Sequence, residues 1–372
     1  MTLYPNLILD ALKNVKYPGN GKSIVENNMV EDDIRIDGNK VSFSLIFEKP
    51  TDPFMKSVMR SAEAALKAYI STDIEADINM KYSQPAALKP ANPLPQVKNI
   101  IGISSGKGGV GKSTVAANVA ISLAAKGYKV GLLDADIFGP SMPKMFGVED
   151  EQLYMVNKEG RDWIEPVEKY GVKMLSIGFV VDKDSAVLWR GTMASNALKQ
   201  LITDAWWGEL DYFLIDMPPG TSDIHLTLVQ TLGITGVVVV STPQEVALAD
   251  ARKGISMFRG EKVNVPVLGV VENMAWFTPA PHPEERYFIF GNGGAARLAE
   301  DLGVKLLAQI PLVADICMTA DNGAPTATKL IKTENELPDP EAEAFSSLAD
   351  AIVKACEERN LQLPPTLKVE TH

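Results

Sequence analysis

Cysteine is nearly missing from this chain of 372 residues, which has only Cys317 and Cys356. So few thiols exclude a disulfide framework and suit a reducing cytosol. Long apolar runs are missing too. None reaches the ~18–20 residues that a helix needs to span a bilayer, and the first residues lack the layout of a secretory signal. A cytoplasmic protein with no membrane partner is expected. Positive charge is in the minority, with 36 Lys and Arg against 47 Asp and Glu, a net charge of −11. That balance argues against a broad nucleic-acid surface. No internal repeat is evident. The remainder, 46% hydrophobic and 22% charged, is ordinary for a globular protein with room for two or more domains.

Against this plain background one run is exceptional. Residues 106–114 read Gly-Lys-Gly-Gly-Val-Gly-Lys-Ser-Thr. They fit the phosphate-loop pattern G-x-x-x-x-G-K-S/T, with Gly106, Gly111, Lys112 and Ser113 at the diagnostic places. A glycine-rich backbone can aim several N–H groups at phosphate oxygens, and the following helix adds its positive N-terminal end. The expected nucleotide-binding set is Gly106, Lys107, Gly108, Gly109, Val110, Gly111, Lys112, Ser113 and Thr114. Lys112 would reach the β- and γ-phosphates, and the Ser113 hydroxyl would hold Mg²⁺. Lys107 is a second lysine, unusual inside such a loop. The flanks agree: Asn99–Ser105 is a β-branched apolar run, and Val115–Lys126 is Ala-rich with apolar residues at helical spacing before Gly127.

From residue 98 onward, short apolar segments alternate with helical ones. Strands are predicted at 99–104, 129–134, 173–177, 212–216, 236–241, 267–272 and 305–310. Helices are predicted at 112–126, 191–204, 223–231, 245–259, 292–301 and 341–357. The alternation predicts an α/β fold, a doubly wound, mainly parallel sheet with ligands beyond the carboxyl ends of its strands. Residues 1–83 read as a separate small α+β domain, with a short helix near Leu7, a hairpin about Asp37-Gly38, a helix from Pro53 to Ile70 and a strand near Ile74–Tyr82. The stretch 84–97 contains four prolines and reads as a linker. The ATPase-like domain is expected over 98–358 and a tail over 359–372.

Three carboxylates fall at expected strand ends: Asp134, Asp136 and Asp216. Near a phosphate loop, such a set suits Mg²⁺–ATP. Asp216 would hold Mg²⁺ through water, and Asp134 would support the metal's water shell. Asp136 would orient or deprotonate the attacking water, and Lys107, Lys112 and Asp136 are the catalytic candidates. Asn273 ends the 267–272 strand. Its amide offers donor and acceptor to an adenine edge, or else orders a loop. His225 opens a helix just after Asp216 and can cap it, pack, or sense the nucleotide. Trp206 and Trp207 read as packing anchors.

These motifs resemble the deviant Walker-A ATPases, the group of MinD, the nitrogenase iron protein and ArsA. Within it the chain is most similar to the Mrp/ApbC iron–sulfur cluster carriers, through Gly106–Thr114, Leu132–Ser141, Trp189–Met193, Leu214–Thr221, Glu272–Met274 and Ile310–Val313. The resemblance implies a homodimer, in which Lys107 crosses to the other subunit's ATP, and slow, dimer-coupled ATP hydrolysis. It implies iron–sulfur assembly or apo-client proteins as partners. Val15–Val25 and the hairpin after it resemble the small domain fused in front of such carriers, read here as a docking or regulatory module.

One departure matters. The family usually places Cys-x-x-Cys just after Asn-Met, where thiolates would ligate a cluster. Here the segment is Asn273-Met-Ala-Trp-Phe-Thr-Pro-Ala-Pro-His282-Pro-Glu284-Glu285. His282, Glu284 and Glu285 are poor substitutes for sulfur. Cys317 is expected on a helix behind the nucleotide, and Cys356 on an outer helix. An iron–sulfur cluster is therefore expected either through relocated ligands or on a partner. The alternative is a MinD- or ParA-like positioning ATPase, or a kinase or ligase of the same superfamily. The 341–359 helix lacks the basic, amphipathic character of a membrane anchor.

Overall fold

The computed structural model describes residues 4–31, 33–47, 52, 54–82, 93–137, 139–180, 192–261, 263–279, 281–282, 284–331 and 339–364. Most of the expected linker (84–92), residues 189–191 and the last part of the tail lie outside them. The chain forms two compact units, Met1–Ala91 and Asn92–His372.

In the first unit, α1 (Pro5–Leu12) begins with a proline in its first turn, where the missing N–H costs nothing. β1 (Arg35–Asp37) and β2 (Lys40–Phe47) form an antiparallel hairpin. α2 (Met55–Tyr69) then returns the chain to β3 (Glu75–Tyr82), which pairs parallel to β2. Val58, Ala62, Ala65 and Leu66 form one buried stripe on α2 and pack with Phe43, Leu45 and Phe47 of β2.

The second unit is built on eight strands: β4 (Val97–Ser105), β5 (Val130–Asp134), β8 (Val167–Lys169), β9 (Val172–Ser176), β10 (Leu210–Asp216), β11 (Gly236–Ser241), β12 (Val267–Glu272) and β13 (Leu306–Gln309). Their order across the sheet is β13-β12-β11-β4-β10-β5-β9-β8, and only β8 runs antiparallel to its neighbour. Alternation along each strand feeds both faces. Ile101, Ile103, Leu132 and Leu214 pack with α3 (Lys112–Ala125) and α10 (Pro340–Gln362). Ile100, Leu133, Phe213 and Ile215 pack on the other face with α5 (Thr192–Thr203) and α6 (Asp223–Thr231). Val239 and Val270 meet α7 (Glu245–Arg259) and α8 (Gly294–Leu302).

α3 is not the one-sided helix its spacing predicts. Every residue from Val115 to Leu123 is buried, because α10 and the turn at Thr326–Ile331 cover its outer side. Small alanines permit that close packing. A hairpin, β6 (Tyr154–Lys158) and β7 (Arg161–Glu165), and the short helices α4 (Met142–Met145) and α9 (Ala314–Asp321) complete the unit. No described helix is long and apolar enough to cross a membrane.

Candidate functional site: a phosphate loop at the strand ends

β4 delivers the glycine loop at its carboxyl end, and α3 starts at Lys112. Two glycines are needed for space and shape. A Cβ on Gly106 would lie 2.2 Å from the Asp250 backbone. Gly111 has φ +82°, and a Cβ there would lie 2.2 Å from Asn273 Nδ2. A Cβ on Gly108 or Gly109 would meet nothing, so that side of the loop is open to a ligand.

Beneath the loop, Lys112 Nζ donates to Asp216 Oδ1 at 2.6 Å, and Ser113 Oγ donates to Asp216 Oδ2 at 2.6 Å. Asp216 is fully buried. Burial pushes its carboxyl up, against the Lys112 ammonium and the Ser113 hydroxyl that hold it down. The register of β5 on β10 sets Asp134 directly beside Asp216. Asp134 is buried as well, and desolvation together with the Asp216 charge raises its carboxyl to about 7. Its oxygens accept from Ser176 Oγ at 2.8 Å and from the N–H groups of Met142 and Asp136, each at 3.2 Å. The Asp134 side chain is thus engaged with the loop that carries Asp136. Asp136 Oδ2 stands 3.8 Å from Lys112 Nζ.

Asn273 has two readings, a base contact and a loop-ordering one. Its Nδ2 donates to the Val110 carbonyl at 2.9 Å, which is the loop-ordering alternative. Lys107 is half-buried, and its carbonyl accepts from Ser105 Oγ at 2.9 Å. Three supporting residues were not singled out by sequence reasoning. Ser176 holds Asp134. Buried Asn118 donates to the Thr114 carbonyl at 2.9 Å and accepts from Ala327 N at 2.8 Å, fixing the start of α3. Buried Glu272 accepts from Ala295 N at 2.6 Å and Gln309 Nε2 at 2.7 Å, just before Asn273. The Glu-Asn-Met run was a signal for the last of these; nothing local marked the other two.

The donor chemistry fits a metal-bound nucleotide. Open backbone and lysines suit phosphate, while a serine hydroxyl and a carboxylate are the hard oxygens Mg²⁺ prefers. It does not fit a cluster bound by this chain's own thiols. Cys317 is exposed on α9. Cys356 lies on α10, the last helix, which packs on α3, so the thiol is buried and desolvation raises it to about 12. Among the described residues, the one group of three potential ligands is His282, Glu284 and Glu285, all exposed. His225 is buried and caps α6, its Nδ1 accepting from Ser222 N at 3.2 Å. Trp207 is fully buried with its Nε1 donating to the Leu201 carbonyl, whereas Trp206 stacks edge-on to Trp163.

Known proteins agree with this geometry. Residues 96–353 match the family model described as the NUBPL iron-transfer P-loop NTPase, ParA. Residues 6–78 match that of an iron–sulfur cluster assembly protein. An iron–sulfur cluster carrier protein of Synechocystis is 43% identical over 324 residues, 87% of this chain and 91% of that one. An iron–sulfur cluster transfer protein of Dictyostelium discoideum is 40% identical, covering 79% of this chain and 88% of that one. A solved nucleotide-binding protein of Archaeoglobus fulgidus, in complex with ADP, is 37% identical with a TM-score of 0.55, over 67% of this chain and 96% of that one. MinD of Pyrococcus horikoshii, at 23% identity and a TM-score of 0.51 over 70% of this chain and 98% of its own, shares the fold. The chain belongs to the NUBPL iron-transfer family of P-loop NTPases.

Proposed function

We propose that this chain binds Mg²⁺–ATP at the loop after β4 and hydrolyses it slowly as a homodimer, and that the cycle drives iron–sulfur cluster assembly or transfer. The observation that carries the reading is the buried Lys112–Asp216–Ser113 constellation under an open glycine loop. In this reading Lys112 follows the phosphates, and Lys107 reaches a nucleotide on a second copy. Ser113 and Asp216 would hold the metal, which when bound offsets phosphate charge. Asp134 supports them by accepting from the N–H groups of Asp136 and Met142, and so steadies Asp136, which in this reading orients the attacking water. Asn273 keeps the loop in shape.

The cluster is cargo in this reading. The sulfur donors of this chain are one exposed and one buried thiol on different helices, so its ligands come chiefly from a client or assembly protein. The first unit, matched by an assembly-protein model, is the natural docking module. The names of the relatives favour this over a positioning ATPase.

The test is iron and acid-labile sulfide per dimer after anaerobic reconstitution, alongside ATP turnover, with Cys317→Ala/Cys356→Ala as control. Turnover with no cluster above background supports a switch acting on a client's cluster. A stable cluster lost in the control would show instead that this chain carries it. Absence of ATP binding would end the reading.

A further inference from the structure

In the first unit the sheet runs β1-β2-β3, so β3 is an edge strand. Its parallel pairing with β2 is unbroken from Lys40–Glu75 to Phe47–Tyr82. Glu75 N donates to the Asn39 carbonyl at 3.0 Å, and that bond sets the phase. In a parallel pair alternate residues bond the neighbour, so Glu75, Asp77, Asn79 and Lys81 serve β2. Ala76, Ile78 and Met80 turn their N–H and C=O groups the other way, and no described residue pairs with them. The far flank of β2 is filled. β1 covers part of it, and beyond β1 Ile46 N donates to the Met29 carbonyl at 2.7 Å and Glu31 N to the Ser44 carbonyl at 3.0 Å.

Native sheets blunt such an edge with a proline, a bulge, a very short strand or charge. β3 spans eight residues, with no proline and no break in register. On its helix side, Ala76 and Ile78 pack at the margin of the core of Phe43, Leu45 and Val58 yet stay half-buried, and Met80 is 45% exposed. Apolar surface therefore reaches the rim of the sheet and stops there. The other side carries charge of one net sign. Lys81 is drawn to Glu31 and Asp33, and Asp77 meets Lys40 only at 3.6 Å. Glu75 has no ion pair among the described residues. The four carboxylates around β3 thus outnumber the ammonium groups of Lys40 and Lys81.

We propose that the free edge of β3 docks an extended segment of a client or assembly protein, one that alternates apolar and basic residues and adds to the sheet as a further strand. Its backbone closes the outward N–H and C=O groups of Ala76, Ile78 and Met80. Its apolar side chains continue the core margin over Ile78 and Met80. Its basic ones lie across from Glu75 and Asp77, where opposite charges favour a cross-strand pair. An acidic strand meets like charge there and is rejected. This rests on the reading of the first unit as the docking module, and no part of it depends on nucleotide.

The probe is a fluorescent peptide of alternating valine and lysine, titrated against the full chain, with amide exchange read residue by residue. Binding should slow exchange at Ile78 and Met80, whose N–H groups point outward, and leave Asp77 and Asn79, already bonded to β2, little changed. Met80→Pro removes an outward N–H and no bond to β2, and should weaken binding roughly 10-fold. Glu75→Lys/Asp77→Lys leaves the backbone alone. It should weaken the valine–lysine peptide to a similar degree and admit a valine–glutamate one. Protection that is uniform or absent, or equal binding of the two peptides to the wild type, would overturn the proposal. So would protection of the same amides by the protein itself as its concentration rises, since the edge would then serve a second copy. The docking reading is tested apart, by ATP-stimulated reconstitution of an apo-ferredoxin. If the peptide pairs as described and Met80→Pro leaves that reconstitution unchanged, the strand-adding edge stands and the docking reading of the first unit falls by itself.

Discussion

Asn273 reaches from the end of β12 to the Val110 carbonyl, 2.9 Å away, tying the phosphate loop to a strand two places from β4. The residue is 7% exposed, so the bond is largely shielded from water. Asn273→Ala leaves a buried carbonyl unpaired, at about 1–3 kcal/mol. Part of that falls on the loop's binding conformation, so affinity for ATP drops roughly 10-fold. If the amide instead read adenine, the loss would be confined to ATP. A loop tether predicts equal losses for ATP and GTP, and competition titrations with both nucleotides decide between them.

Lys112 and Asp216 form a buried pair, 7% and 0% exposed at the side chain. Removing one member strands the other, at a cost of about 3–5 kcal/mol. Lys112→Met should therefore lower the urea midpoint markedly and abolish nucleotide binding. Adding Asp216→Asn to it should return much of the stability and none of the binding. A double variant as unstable as the single would show that the loss arises from packing of the lysine stem.

The site was legible because its chemistry is local. A phosphate loop is a short run of backbone shape, and Asp134 and Asp216 end strands whose apolar, β-branched character is plain in sequence. What escaped was chosen by tertiary contact. Asn118 looks like any polar residue in an Ala-rich helix, and only the turn at Thr326–Ile331 gives its amide a purpose. The β6–β7 hairpin was missed because Tyr154, Met155 and their neighbours are exposed or half-buried, so no alternation marks a face. Its one signal was Glu159-Gly160, both at positive φ, a hairpin turn with an unusual first residue.

Lys107 is a half-buried cation within the loop whose side chain has no hydrogen bond or ion pair among the described residues. A lysine committed to its own subunit's phosphates would duplicate Lys112. Lys107→Ala should keep ATP binding while losing ATP-dependent dimerisation and turnover together, as seen by light scattering and phosphate release. Unchanged dimerisation would mean that Lys107 serves its own subunit.

Asp134 and His225 set opposing pH dependences. Asp134 binds a proton in the native state up to about 7 but in the unfolded chain only to about 3.8. Between those values the native state holds the extra proton, so this group's contribution to stability falls as pH rises. His225 titrates at about 4 when folded and 6.5 when unfolded. There the unfolded chain holds the extra proton, and stability rises with pH. In nucleotide-free buffer, Asp134→Asn should therefore make stability climb more steeply from pH 4.5 to 6.5 than in the wild type, by up to ~1.4 kcal/mol per pH unit. His225→Asn should do the reverse. Urea midpoints at four pH values suffice, and curves parallel to wild type would mean that neither group titrates as its burial demands.

Asp136 is the carboxylate with freedom to act. Asp216 is committed to Lys112 and Ser113, and Asp134 to three donors, whereas Asp136 keeps a side chain 13% exposed and 3.8 Å from Lys112. A carboxylate oxygen accepts hydrogen bonds and never donates them, so it can take one from water. Asp136→Asn preserves shape but removes the negative charge, and its amide can donate where the carboxylate could only accept. The expected loss is roughly 10²–10⁴-fold in turnover, the usual range for a positioned base. ATP affinity should hold within a few-fold, because the phosphate-facing backbone and lysines are untouched. Loss of binding in step with turnover, measured on the same preparation by nucleotide titration and phosphate release, would instead assign Asp136 to holding the loop.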